Sequence, residues 1–237
     1  MAAEDSGYLR IYIMNTSFVV INDNPHLIRD RYILKLYGDL KNDGDELLII
    51  NVLKDYRNLG DISSKRETDV RTIDIFHVTD LMQPYFVALE KLKNDLVYFL
   101  TPDMVISKKS FDKLRPEVIS GDYSGSLYGN GLVINPENGS YYHTEYSYNI
   151  MLNSLLFRRD RIKIADLIHG NFKLSVFHKL NEAGQILVRK NENDFIELLP
   201  YFSEPAAKVG KALGSVSKDD SKATKAALSV IRGMWIS

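Results

Sequence analysis

The sequence contains no cysteine, which excludes disulfide bonds, thiol nucleophiles and cysteine-ligated metal sites. It has no apolar run near the roughly 20 residues that a membrane-spanning helix needs. Its first residues, MAAEDSGYLR, are acidic and polar, whereas a signal peptide would be basic and then apolar. It also lacks the basic excess of a protein that coats nucleic acid, because 30 Lys and Arg residues stand against 31 Asp and Glu residues. Together these absences predict a soluble protein of the cytoplasm.

The apolar content is high enough for a globular fold. With 237 residues, of which 45% are hydrophobic, the chain can build the core of one sizeable α/β domain. Its first half alternates strand-like and helix-like segments. The predicted strands cover residues 9–14, 18–21, 46–53, 72–78 and 96–100, and the predicted helices cover residues 27–40 and 81–92.

Two of these strands contain the uninterrupted apolar runs LLII and LVYFL. Such runs are typical of a parallel sheet that helices cover on both faces. Ligands of these sheets bind where the strands end. On the helix at 27–40, the helical period predicts a buried face formed by Leu27, Ile28, Leu34, Tyr37 and Leu40.

Glycine and tyrosine dominate residues 120–148. The letters NPENG follow LVI and predict a hairpin, so this half is predicted to be antiparallel. Its phenol rings favour stacking on sugar rings or nucleobases, and tyrosine is equally a good strand former. The residues are Tyr123, Tyr128, Tyr141, Tyr142, Tyr146 and Tyr148. A strand at 150–157, a helix at 174–183 that ends at Gly184, and a strand at 185–189 follow.

The residues after Pro205 have a different composition. They are mostly small residues and lysines, with six Lys and Arg against two Asp. Apolar side chains recur at helical spacing over residues 223–234, which predicts an amphipathic basic helix. Its lysines favour weak contact with an anionic membrane or with nucleic acid, with Trp235 as an interfacial anchor. Its apolar stripe favours packing on its own domain or on a second copy of the chain, as a homo-oligomer.

The segment YFLTPDMVISKKSF, at residues 98–111, resembles a motif of the nucleotide-sugar-dependent glycosyltransferases of the GT-A fold, in particular family 2. In that family an apolar strand ends in Asp-x-Asp before a short helix. The letters LLFRR at 155–159 and HKLNEAGQILV at 178–188 are similar to its acceptor-side segment and to its closing helix, glycine and strand. By pattern order the resemblance covers roughly residues 17–190.

This resemblance implies both a fold and an activity. The fold would be a GT-A-like, Rossmann-type mixed sheet flanked by helices, with a smaller antiparallel acceptor-side region and a C-terminal helix. A catalytic domain would span residues 1–203, with a nucleotide-binding half at 8–115 and an acceptor half at 116–203, before a basic linker and helix at 204–237. The activity would be transfer of a sugar from a nucleotide sugar, a uridine diphosphate (UDP) sugar, to a hydroxyl of a glycan, a lipid, a protein or a hydroxylated nucleic-acid base.

The chain also departs from the family pattern. Thr101 replaces the first acidic residue of Asp-x-Asp, and the loop after the first strand lacks the usual Pro and Tyr. Residues 51–55 read NVLKD where Asp-Asp-Gly-Ser is expected. Residues 171–173 read NFK where an acidic pair supplies the base in inverting members.

Asp103 is the leading metal ligand. A divalent ion, Mn²⁺ or Mg²⁺, offsets charge on a leaving diphosphate, and one carboxylate is enough if the diphosphate and a second protein ligand complete the shell. The resemblance implies a late histidine as that ligand, either His169 or His178. Each has a structural alternative: Asp103 in a strand-exit turn or as a helix cap, and each histidine as a structural side chain.

The donor nucleotide is predicted to lie at the same strand ends. Asn22 and Asp23 follow the first strand, Asp55 follows the second, and Thr101 is placed to hydrogen-bond a ribose hydroxyl. A structural role in a turn accounts equally well for aspartates at positions 23 and 55.

Three carboxylates are candidates for the catalytic base: Glu145, Asp160 and Asp166. Asp160 has an alternative role, because it can pair with the arginines beside it.

Two other functions compete with glycosyl transfer. A non-catalytic module that kept the fold would bind a nucleotide, a glycan or a partner, and the incomplete Asp-x-Asp favours it. A nucleotidyltransferase would have similar strand-end carboxylates, but such enzymes usually carry a Gly-rich phosphate loop after the first strand, and none follows Ile21.

Overall fold

The computed structural model describes residues 14–22, 29–53, 69–101, 104–134, 141–143, 151–167, 170–189 and 195–198. In chain order the strands are β1 (Thr16–Asn22), β2 (Glu46–Leu53), β3 (Val70–Phe76), β4 (Leu96–Phe99), β5 (Met104–Ile106), β6 (Gly125–Tyr128), β7 (Leu132–Ile134), β8 (Tyr141–His143), β9 (Leu156–Arg158), β10 (Ile186–Arg189) and β11 (Phe195–Leu198). The helices are α1 (Arg29–Leu40), α2 (Gln83–Lys91), α3 (Lys108–Lys113), α4 (Pro116–Ser120) and α5 (Phe172–Glu182). Among the helices of these ranges, none has the length and apolar character needed to cross a bilayer.

The main sheet has seven strands in the order β10-β6-β9-β4-β1-β2-β3. Strand β9 is antiparallel to both of its neighbours, and all other neighbouring pairs are parallel. Because β1 to β4 are parallel, the connections between them are crossovers, and α1 and α2 lie in two of these connections. The predicted α/β class with a mixed sheet is confirmed.

Side chains from both faces of this sheet are buried. Phe18 and Val20 of β1 join a core with residues of α1 and α3, and Val19 joins a second core with residues of α2 and α5. Successive residues of a strand point to opposite faces, so a strand that is covered on both sides needs apolar residues at every position. This explains the uninterrupted run LLII in β2.

A second sheet of four strands has the order β5-β11-β7-β8. Strands β7 and β8 form the predicted hairpin, with Leu132 opposite His143. The prediction that residues 120–148 form an antiparallel half holds only in part for β6, which belongs to the main sheet and lies antiparallel to β9 but parallel to β10. The reason is that β6 pairs with a strand about 60 residues further on, which local pattern does not show.

The buried face of α1 also differs from its prediction. Leu34 is 39% exposed, while Ile33 and Leu36 are buried. The buried positions are Ile33, Leu36, Tyr37 and Leu40, which follow the i, i+3, i+4, i+7 spacing of one helix face. Leu27 and Ile28 lie outside the described residues.

The strand predicted at 150–157 is shorter: β9 covers Leu156–Arg158, and a 3-10 turn occupies Leu152–Ser154. The Ser154 hydroxyl donates to the Met151 carbonyl at 2.6 Å and accepts the Tyr128 N–H at 2.9 Å. A serine that bonds to the backbone in this way competes with strand pairing.

Two buried carboxylates join the amino ends of the parallel strands. Asp45 accepts the N–H groups of Thr16 and Asn42 at 2.6 and 2.8 Å. Glu46, which is 3% exposed, accepts the Ser17 hydroxyl at 2.5 Å. The carboxylate of Glu46 also takes the Lys93 N–H and two N–H groups of Arg71. These bonds fix the register of β1 and β2 at the edge where both strands begin.

The surroundings at this edge shift the pKa values of Asp45 and Glu46 in opposite directions. Burial raises the pKa of Asp45 and outweighs its hydrogen bonds. Burial also acts to raise the pKa of Glu46, but the hydrogen bonds from Ser17, Lys93 and Arg71 together hold that pKa below its ordinary value. Of these two carboxylates, Glu46 is therefore the one that stabilises the fold through its charge.

Replacing Glu46 with glutamine is expected to flatten the acid dependence of stability. A carboxylate with a lowered folded pKa stabilises the fold above its unfolded pKa of about 4.3, and this contribution is lost as the pH falls through the folded pKa. At neutral pH the variant should unfold with a free energy about 2 kcal/mol lower, because Arg71 loses its partner. Urea unfolding from neutral pH to about pH 3 measures the difference.

The matched control is Glu182→Gln, which removes an exposed carboxylate at the end of α5. A difference between wild type and Glu46→Gln that stays constant over the whole pH range would contradict the assignment.

Candidate functional site

The strand order creates a crevice at the carboxyl ends of β1 and β4. The chain runs from β1 to β2 and β3 on one side, and β4 then pairs with the other side of β1. At such a reversal the two connections leave in opposite directions, and ligands of open α/β sheets bind in the gap between them. Asn22 ends β1 and Thr101 lies two residues beyond β4, so both border this crevice.

Three polar side chains form a ladder across the carboxyl ends of β1, β2 and β3. Asn22, Asn51 and Asp74 are direct register partners on neighbouring strands. The Asn22 amide donates to Asn51 Oδ1 at 2.9 Å, and the Asn51 amide donates to Asp74 Oδ1 at 2.8 Å. Asn51 is buried, Asn22 is half-buried and Asp74 is exposed. This polar ladder holds the Asn22 side chain in one orientation at the crevice.

Thr101 has a buried hydroxyl at the end of β4. Its Oγ1 atom has no hydrogen-bond partner among the described residues, and a buried hydroxyl without a partner costs free energy. The Thr101 N–H contacts Met104 Sδ at 3.2 Å, and the Met104 N–H donates to the Thr101 carbonyl at 3.3 Å. These contacts hold Thr101 and Met104 to each other.

Helix α5 begins at the same edge. The Asn171 side chain caps it by accepting the Leu174 N–H at 3.1 Å. Lys173 donates to Asn153 Oδ1 at 2.5 Å, and its Nζ atom lies 6.0 Å from the centroid of the Phe99 ring. A half-buried cation therefore lies beside the last residue of β4.

Two predicted base candidates lie away from this edge. Strand β9 runs antiparallel to β4, so the 3-10 turn after it, Arg159–Arg161, lies where β4 begins. Asp160 in this turn is exposed and pairs with Arg158 at 2.7 Å, which holds the pKa of Asp160 below its ordinary value. The predicted pairing with neighbouring arginines is present, and the structure does not bring Asp160 together with Thr101.

Asp166 is also exposed and pairs with Lys179 at 3.0 Å. Lys179 lies six residues beyond Lys173 on α5, which is about 9 Å along the helix axis. His178 neighbours Lys179 and is exposed, with its ring 5.7 Å from that of Phe177. The structure therefore does not bring Asp166 or His178 to the ends of β1 and β4.

The tyrosines are divided between core and surface. Tyr128 is fully buried, and its hydroxyl donates to the Ser110 carbonyl at 2.8 Å, so it is a structural residue and is not available for ligand stacking. Tyr123 is half-buried. Tyr141 and Tyr142 lie on β8.

Several predicted site residues lie outside the described residues. They are Asp23, Asp55, Asp103, Glu145 and His169. Their assignments remain predictions from the sequence.

The structure adds residues that sequence reasoning did not assign. Asp74 terminates the polar ladder, and Asn153 and Lys173 meet at the end of β4 although 20 residues separate them. Asn51 carried a signal, because it is a polar residue inside an apolar strand. Asp74 had none, since exposed positions often carry charge.

A cavity of about 620 Å³ lies at the opposite, amino edge of the sheet. Its lining includes Lys41, Asp45, Glu46, Asp69 and Lys93. Two of the carboxylates there already have partners. Asp69 forms a 2.6 Å ion pair with Lys41, and Glu46 accepts hydrogen bonds from Ser17 and Arg71. Because ligands of parallel sheets bind at carboxyl ends, the crevice at β1 and β4 is the candidate site.

The mixed sheet, with its one antiparallel strand and its smaller second sheet, has the GT-A fold. Among solved structures, the chain is similar to S. aureus TarS. A structure of TarS residues 1–349 in complex with UDP-GlcNAc matches with a TM-score of 0.52 and 13% identity, over 93% of this chain and 72% of that chain. The same TarS fragment in a second structure matches with a TM-score of 0.51 and 14% identity, over 93% and 71% of the two chains.

A further TarS structure matches with a TM-score of 0.52 and 15% identity over 91% of this chain, which spans 42% of that one. No protein-family model and no curated protein sequence matches the chain. Identities of this size establish the fold alone.

Proposed function

We propose that the protein is a glycosyltransferase that moves a sugar from a UDP-sugar to a hydroxyl acceptor. The observation that supports it is the carboxyl edge of β1 and β4 in a GT-A fold, which carries the polar ladder from the end of β1 and the Thr101 hydroxyl just beyond β4. TarS, which shares this fold, was solved with UDP-GlcNAc. The acceptor is a hydroxyl of a glycan, a lipid, a protein or a hydroxylated nucleic-acid base.

The polar ladder would bind the nucleoside. Asn22 uses its amide N–H on Asn51, which directs its carbonyl oxygen away from Asn51 as an acceptor. Uracil presents an N–H donor on its pairing edge, and a fixed acceptor rewards that group and penalises a base with an acceptor at the same position. Asp23 and Asp55 are proposed as further contacts to the base or ribose.

The Asn22→Ala variant is expected to bind UDP about tenfold more weakly, which corresponds to about 1.4 kcal/mol. Titration calorimetry with UDP measures the effect. Asn94→Ala is the matched control, because its amide bonds to the Gly44 carbonyl at the amino edge of the sheet. Equal UDP affinity in Asn22→Ala and wild type would contradict a nucleoside site at the ladder.

A divalent ion, Mn²⁺ or Mg²⁺, would assist the reaction. Within the described residues no three His, Asp or Glu side chains converge on a metal site. The proposed donor set is one carboxylate, Asp103, together with the diphosphate oxygens of the donor. When bound, the ion supplies positive charge to the departing diphosphate. His169, which lies outside the described residues, is the proposed additional ligand.

The test is the release of UDP from a panel of UDP-sugars in the presence of Mn²⁺ or Mg²⁺. A glycosyltransferase hydrolyses its true donor slowly when no acceptor is present, so release above the buffer rate with one or a few sugars is the expected result. UDP binding without release from any donor would favour the second candidate, a non-catalytic nucleotide- or glycan-binding module. That candidate is supported by Thr101, which stands where the first carboxylate of Asp-x-Asp is expected.

A further inference from the structure

Lys173 carries a positive charge where the resembling family carries an acidic pair. It lies in the first turn of α5, at the edge of the sheet where the parallel strands end. The first turn of this helix contains no acidic residue. A base cannot be supplied from this position, and the charge that the site presents there has the opposite sign.

Aromatic packing of the neighbouring residue, Phe172, fixes the backbone at Lys173. The neighbouring Phe172 ring is buried and stacks on Tyr85 with a centroid distance of 4.7 Å. It also meets Phe99 edge-on at 5.4 Å. Because this aromatic group anchors the start of α5, Lys173 has a defined position relative to the end of β4.

The Lys173 ammonium lies on the same side of the sheet as Thr101. Its Nζ atom is 6.0 Å from the Phe99 ring centroid. The Leu100 N–H still pairs with the Val19 carbonyl, so the chain stays extended beyond Phe99. In an extended chain, residues two apart share a face and lie about 7 Å apart. Thr101 is therefore the next residue on the face that Lys173 covers.

Resting on the proposed function, we propose that Lys173 binds the diphosphate of the nucleotide donor, with Asn153 positioning its ammonium. An ammonium attracts the negatively charged oxygens of a diphosphate and carries three N–H donors with which to bond several oxygens. The start of α5 adds the positive end of the helix dipole. A fixed lysine supplies charge at a strand exit that has lost one of the two carboxylates through which the family binds its metal.

Titration calorimetry of the full chain with UDP, at two ionic strengths, tests this inference. The variant Lys173→Met is expected to bind UDP about tenfold more weakly than wild type. Its affinity should also fall less steeply with salt, because one charge contact to phosphate is lost. Lys173→Arg keeps the charge and should stay within about threefold of wild type. Lys179→Met removes a lysine from the same helix and should leave UDP affinity unchanged.

The outcomes separate the inference from the proposed function. Wild-type protein that binds UDP, with the same affinity and salt dependence in Lys173→Met, overturns the inference alone. Wild-type protein that binds no UDP overturns both. A Lys173→Met protein with a lower thermal midpoint but an unchanged salt dependence shows a structural lysine and also overturns the inference.

Discussion

Phe18→Ala is expected to lower the free energy of unfolding by about 3–5 kcal/mol, the range for removing a buried phenylalanine. Phe18 lies in the middle of β1 and has no exposed surface. Its ring centroid lies 5.4 Å from Tyr37, 6.1 Å from Tyr98 and 5.2 Å from Phe111. These rings come from α1, β4 and α3, so the alanine variant leaves a cavity at the point where three elements meet.

Urea unfolding followed by circular dichroism measures this change. Leu81→Ala is the control, because Leu81 is 80% exposed and its replacement should change stability by less than about 0.5 kcal/mol. A loss of less than about 1 kcal/mol in Phe18→Ala would show that the core around β1 is not packed as described.

Asp103→Asn is expected to reduce the release of UDP from the donor by about 10²–10³-fold. In the proposed function Asp103 is the carboxylate that holds the divalent ion, since Thr101 has no charge with which to replace it. An asparagine keeps the size of the side chain and much of its turn-forming chemistry, so folding should be preserved. The initial rate of UDP release, measured over a range of Mn²⁺ concentrations, gives the effect.

Asp122→Asn, an exposed change in the turn after α4, is the matched control and should retain the wild-type rate. A metal ligand also predicts partial recovery of Asp103→Asn at high Mn²⁺, because weaker binding is offset by concentration. If Asp103→Asn releases UDP at the wild-type rate, Asp103 is a turn or capping residue and the ion is held elsewhere.

Much of the fold could be predicted from local pattern. The bounds of β2 agree with prediction at both ends, and the β7–β8 hairpin follows from NPENG. Gly184 lies just after α5 with a φ of 65°, a conformation that favours glycine at a helix end. These features depend on a few adjacent residues, so a single sequence contains the information.

The structure differs from the predictions at features that depend on contacts between residues far apart in the chain. The strand at 150–157 is shortened because Ser154 bonds to Tyr128, which lies on another strand. Strand β6 joins the main sheet because β9 and β10 flank it. Both outcomes depend on partners that no local window contains.

The positions of some site residues could be predicted. Asn22 and Thr101 were predicted to lie at strand ends, and the structure has Asn22 at the end of β1 and Thr101 two residues beyond β4. Their roles in binding remain predictions. Asp160, Asp166 and His178 lie on elements at other parts of the sheet. Ion pairs with Arg158 and Lys179 occupy the two aspartates.

By itself the sequence determined the α/β class, the strands that helices cover on both faces, and the strand exit at Thr101, because apolar runs and turn residues act over short distances. Only the tertiary structure decided the strand order, the polar ladder of Asn22, Asn51 and Asp74, and the meeting of Lys173 with Asn153 and Phe99. Each of these depends on register and packing between segments that are far apart in the chain, and side-chain chemistry at one position does not specify its partner at another.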